Sequence, residues 1–165
     1  MRWRMIRSFG TGFALAVVSC ESFTEVLGPI RYTATLTGSA VRPNAVTADA
    51  TGTLNAALDQ ETLQWSYTVA WQNLSSAPTT VHLHGPADAD GVAEVLAELN
   101  TADTSKTKLD PTGSAIGALD LTATTITPTV SGDSLRVLLN AQQVYIDVHT
   151  VNNADGELRG QVIPH

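Results

Sequence analysis

Between Leu63 and Trp71 every odd-numbered position is large and apolar (Leu63, Trp65, Tyr67, Val69, Trp71), whereas the even ones are Gln64, Ser66, Thr68 and Ala70. A period of two puts one set of side chains on each face of extended backbone, so this stretch reads as a half-buried strand. Just upstream, Gly52, Leu54, Ala56 and Leu58 share a face, and Asp59-Gln60-Glu61-Thr62 supplies a turn. Residues 49–58 and 63–72 are therefore expected to form an antiparallel hairpin. Further strands are expected at 31–38, 79–84, 92–99, 114–122, 145–150 and 157–163. The 92–99 segment alternates through Val95, Ala97 and Leu99 but has a composition that also suits a helix. The segment 100–113 reads as a polar loop, and Ser131–Asn140 as one short helix. Threonine, a residue that favours strands, occurs 22 times. The fold class expected is all-β: an antiparallel Greek-key sandwich or barrel of seven to eight strands with at most one short helix.

The chain has 165 residues, enough for one domain of about 130 residues plus an appendage, and a domain of that size buries roughly two-thirds of its unfolded surface. Sixteen acidic residues against nine Lys and Arg give a net charge of −7. No basic stripe is available to follow a phosphate backbone, which argues against nucleic-acid partners. One cysteine forms no internal disulfide and excludes zinc sites built from paired cysteines, so a metal would have to be held by histidine and carboxylate side chains.

The amino terminus reads as an export signal over residues 1–19. Arg2, Arg4 and Arg7 precede a short apolar run, Phe9 to Val18, too short to span a bilayer. It leads into Val17-Val18-Ser19-Cys20, which resembles the bacterial lipobox. Cys20 would become the lipidated first residue of the mature chain, with residues 20–30 as a tether and 31–165 as the folded domain. The mature chain would carry six basic and sixteen acidic residues, a net of −10, so acyl chains rather than charge would attach it to the membrane. The place expected is the bacterial cell envelope, periplasmic or outer surface, or outside the cell if Cys20 is not lipidated.

His82 and His84 stand two apart in Val81-His82-Leu83-His84, so they project from one face while Val81 and Leu83 take the other. In Tyr145 to Thr150, Ile146 and Val148 take the core face and leave Tyr145, Asp147 and His149 on the opposite one. If the two strands are neighbours, His82, His84 and His149 offer three nitrogens to copper or zinc, with Asp147 as a carboxylate beside them. The competing reading is that the histidines hydrogen-bond loop carbonyls and the side chains of Glu157 and Arg159, bracing the turns at 85–91 and 151–156. Glu157 and Arg159 themselves read as a polar cluster, neighbours on one face and at most a weak surface pair. No serine or cysteine is set up as a nucleophile, and no catalytic residue is assigned.

Three blocks in order carry a family resemblance: Trp65-Ser66-Tyr67-Thr68-Val69 followed by Val81-His82-Leu83-His84-Gly85-Pro86-Ala87; Val144-Tyr145-Ile146-Asp147-Val148-His149-Thr150; and Gly156-Glu157-Leu158-Arg159-Gly160-Gln161-Val162. Over residues 31 to 163 the chain resembles the CHRD domain, the module named after chordin and found in bacterial secreted proteins. Asp147 stands where that family commonly has Asn. The resemblance implies a β-rich extracytoplasmic module with no generally established catalytic function. The His-x-His strand is also similar to the copper strand of Cu,Zn superoxide dismutase, but the further histidines and aspartate of the dismutase zinc loop have no counterpart between residues 85 and 113.

Three functions follow as expectations. The first is a lipid-anchored, non-enzymatic binding module with a histidine site for copper, zinc or a small ligand. The second is a structural or interaction module of the envelope, its partner unknown, in which the histidines only brace loops. The third is a copper-dependent redox enzyme resembling superoxide dismutase.

Overall fold

The computed structural model describes residues 27–99, 110–128 and 130–165. The lipobox, Cys20, the signal segment and most of the expected 100–113 loop lie outside the described residues. Among the described residues nine strands follow one another: β1 (Ile30–Thr37), β2 (Thr51–Leu58), β3 (Gln64–Gln72), β4 (Pro78–His84), β5 (Val95–Leu99), β6 (Gly113–Asp120), β7 (Tyr145–Thr150), β8 (Leu158–Gln161) and β9 (Ile163–Pro164). The one α-helix among the described residues, α1 (Gly132–Asn140), lies between β6 and β7.

Eight strands pair antiparallel in the order β5-β4-β7-β8-β1-β2-β3-β6, forming a nearly closed barrel, with β9 added beside β1. β1, β2 and β3 are consecutive neighbours, and β8 returns by a long connection to lie beside β1, which is the Greek-key order. The expected hairpin forms with Leu58 opposite Trp65 and Gly52 opposite Trp71. Leu63 sits just before β3, in the turn, with a positive φ of 55°. The 92–99 segment is a strand only over its last five residues.

The alternating residues meet inside the barrel. Tyr32, Leu36, Leu54, Leu58, Trp65, Val69, Val81, Leu83, Leu99, Ile146, Val148 and Leu158 are all essentially inaccessible and form one continuous core. Trp65 packs between Tyr32 and Tyr67, at centroid distances of 6.3 and 5.5 Å. Ser131 caps α1 by accepting the Ser134 N–H at 3.2 Å, and Asp133 in the first turn suits the positive end of the helix dipole. Leu135 and Leu139, one turn apart, bury the inner face of α1 in the same core, while Val137 faces outward.

β8 lies close against β1, and Gly160 makes this approach feasible: a Cβ there would collide with the Thr35 carbonyl of β1. Gly160→Ala should therefore force the two backbones apart and lower stability by about 1–3 kcal/mol, measured as a reduced denaturation midpoint with an unchanged m-value.

Candidate metal centre

Strand register assembles the polar face. On β4 and β7, His82 stands opposite Asp147, His84 opposite Tyr145, and Thr80 opposite His149. Beyond them, Asp147 faces Arg159 and Tyr145 faces Gln161 on β8, and His82 faces Glu98 on β5. Directly paired residues project from the same face. One row across the outer wall therefore reads Glu98, His82, Asp147, Arg159, and the next brings His84 beside Tyr145.

His82, His84, His149 and Asp147 each offer a ligand atom, and the four atoms lie within 4.8 Å of one another. The rings of His82 and His149 are 4.9 Å apart, and those of His82 and His84 5.6 Å. Atoms sharing one zinc or copper ion at about 2.0–2.2 Å can be no more than about 4.4 Å apart, close to the spread of the four atoms here.

Two of the rings have a fixed orientation. His84 Nδ1 lies 2.9 Å from the Ala93 carbonyl and His149 Nδ1 lies 2.7 Å from the Ala154 carbonyl. A carbonyl oxygen only accepts, so both Nδ1 atoms carry the proton and, in the neutral ring, both Nε2 atoms carry a lone pair. Those Nε2 atoms face one carboxylate, His149 at 3.0 Å from Asp147 Oδ1 and His84 at 3.2 Å from Asp147 Oδ2. A lone pair facing a carboxylate oxygen is repulsive unless a cation, either a proton or a metal ion, lies between them. His84 Nε2 lacks the alignment for a hydrogen bond; it and His82 Nδ1 are buried nitrogens with no hydrogen-bond partner among the described residues. Histidines held at one nitrogen by a carbonyl and open at the other are the usual arrangement around a protein-bound metal.

Charge and burial set the titration of the cluster. The hydrogen bond to Asp147 raises the pKa of His149 above its ordinary value, against the opposing effect of burial. Burial lowers that of His82, and the neighbouring His149 adds to the shift. Burial pushes the Asp147 carboxyl up, but the hydrogen bond from His149 and the charges of His84 and His149 together hold it below the ordinary carboxylate range. In metal-free protein the Asp147–His149 pair thus contributes its full stability between about pH 4 and about pH 6.5. The contribution fades as pH rises through the raised pKa of His149, and as pH falls through the depressed pKa of Asp147.

Several expectations need correction. Tyr145 and Asp147 point away from the barrel interior, as expected, yet are only 3% and 6% exposed because loops cover them. Glu157 and Arg159 are not a surface pair: they are 0% and 2% exposed and bond different partners. Glu157 accepts from Ser75, Thr150 and Asn153, while Arg159 donates to the carbonyls of Asp88 and Gly91 and stacks on the Tyr145 ring. The histidines bond loop carbonyls, but among the described residues no hydrogen bond joins them to Glu157 or Arg159. Tyr145, stacked on His84 at 4.9 Å with its ring parallel, was on the predicted face without a role. The side chain of His165 lies apart from the cluster, with Nε2 2.6 Å from Thr33 Oγ1. A cleft of about 570 Å³ is lined by His84, Tyr145, Asp147 and His149 together with Val41 and Arg42.

These features define an antiparallel β-barrel module that carries a three-histidine, one-carboxylate cluster on its outer wall. Residues 32–162 match the family model of the CHRD domain, and the chain belongs to that family. No curated protein and no solved structure matches it at a significant level.

Imidazole NMR of the metal-free protein should show His149 titrating above about pH 6.5 and His82 below it. Asp147→Asn should bring the His149 value down, because the charge that favours its imidazolium form is gone. An unmoved His149 titration would contradict this account of the pair.

Proposed function

We propose that this CHRD protein is a lipid-anchored, extracytoplasmic and non-enzymatic binding module that holds a copper or zinc ion through His82, His84, His149 and Asp147. One observation carries the reading: two rings with carbonyl-bound Nδ1 atoms turn their Nε2 atoms onto the same carboxylate, 3.0 and 3.2 Å away, with a nitrogen of His82 beside them that has no partner among the described residues. A borderline metal with nitrogen and oxygen ligands suits that donor set, whereas calcium and magnesium prefer oxygen throughout. The cleft over three of the four residues would give a small polar ligand access to the bound ion. The attachment proposed is a lipid on Cys20, which leaves an acidic domain at the surface of a bacterial membrane.

Protein purified without a histidine tag should bind about one equivalent of copper or zinc and lose it in the His82→Ala, His84→Ala double variant. Metal at a hundred times its Kd should stabilise the wild type by about 2.7 kcal/mol, seen as a rise in Tm. The bonds from His84 and His149 to the loop carbonyls of Ala93 and Ala154 also favour a second reading, a purely bracing cluster. In that case the double variant would lose stability while the wild type took up no metal and showed no shift in Tm. Separately, Cys20→Ser should abolish incorporation of labelled palmitate in a bacterial host and move the protein from the membrane fraction to the soluble one.

A further inference from the structure

We infer that Glu157 and Arg159, two residues apart at and just before β8, are positioning residues for the cluster: each holds a different loop, and each loop delivers one carbonyl that fixes one histidine ring. For its effect on metal affinity the inference rests on the metal-binding reading; for its effect on the rings it does not.

The first chain of contacts starts at Glu157, whose carboxylate is buried and accepts four donors. Oε1 takes the Ser75 N–H at 2.6 Å, and Oε2 takes Ser75 Oγ at 2.6 Å, Thr150 Oγ1 at 2.7 Å and Asn153 Nδ2 at 3.0 Å. Thr150 and Asn153 are also bonded to each other: the Asn153 N–H donates to Thr150 Oγ1 at 3.1 Å, and the Thr150 N–H donates to the Asn153 carbonyl at 3.2 Å. The turn held in this way contains Ala154, whose carbonyl accepts the His149 Nδ1–H at 2.7 Å.

The second chain starts at Arg159. Its Nη2 donates to the Asp88 and Gly91 carbonyls at 3.1 and 2.6 Å, and its guanidinium carbon sits 3.6 Å from the centre of the Tyr145 ring. The Tyr145 hydroxyl accepts the Ala93 N–H at 3.2 Å and donates to the Ala93 carbonyl at 3.3 Å. That same carbonyl accepts the His84 Nδ1–H at 2.9 Å. Among the described residues, neither Glu157 nor Arg159 hydrogen-bonds a candidate ligand, so each acts through its loop. Fixing the proton on Nδ1 is what leaves Nε2 of both rings free to face the centre of the cluster.

The experiment is long-range proton–nitrogen NMR of the imidazole rings in the metal-free chain, recorded in alkaline buffer where the rings are neutral, combined with copper and zinc titrations. The wild type should show His84 and His149 protonated at Nδ1. Glu157→Gln turns one acceptor into a donor that faces other donors; it should convert His149 to a mixture of tautomers and leave His84 unchanged. Arg159→Met, which keeps most of the stem and removes the donors, should do the reverse. Each variant should weaken metal binding by about tenfold or more at unchanged stoichiometry. If either substitution prevents folding, Asn153→Ala and Tyr145→Phe interrupt the same two chains with smaller changes and are read in the same way. Folded variants whose rings keep the wild-type tautomer, or in which both rings respond alike to either substitution, would overturn the inference. A wild type that takes up no metal but shows the selective ring response would sink the metal reading and leave the positioning role intact.

Discussion

Everything on the outer wall depends on the antiparallel pairing of β4 with β7, in which His82 stands opposite Asp147 and His84 opposite Tyr145. Side chains alternate with a period of two, so a slip of one residue would send Val81 and Leu83 outward and drive the imidazoles into the apolar core. The burial of Val81, Leu83, Ile146 and Val148 therefore holds the register, and the register brings the cluster together. The same rows continue across β8, where Arg159 and Gln161 are aligned with Asp147 and Tyr145.

Asp147 is the electrostatic centre of this wall. A carboxylate so deeply covered is costly unless charge or hydrogen bonds compensate it, and the compensation comes from two rings approaching its two oxygens. A carboxamide at this position would be cheaper to bury and would leave the rings without a counter-charge. The aspartate makes the site of this chain more favourable to a cation.

The barrel class, the strand positions and the shared face of His82 with His84 and of Asp147 with His149 were legible in the sequence, because alternation and turn residues report directly on strand parity. The adjacency of β4 and β7 entered as a condition, since periodicity within a strand does not specify which strands are neighbours. Glu157 and Arg159 read as a surface pair by alternation but are buried, for a related reason. Their parity is outward, but the turns at 85–94 and 150–156 and the segment around Ser75 fold over them, and this covering is a tertiary effect with no trace in the alternation. Tyr145 stood on the predicted face, yet its contacts with His84, Arg159 and Ala93 depend on the same covering loops. One turn residue did carry a readable signal: Gly156, at a φ of +114°, sits in the bend that leads into β8.

The division of labour along β4 and β7 has a consequence for how such a domain can diversify. Residues facing inward maintain the fold, and their immediate neighbours in sequence face the outer wall, so the two tasks are encoded by interleaved sets that share a backbone. A lineage, or an engineer, can thus rewrite the chemistry of the wall without altering the inward-facing residues that fix its register.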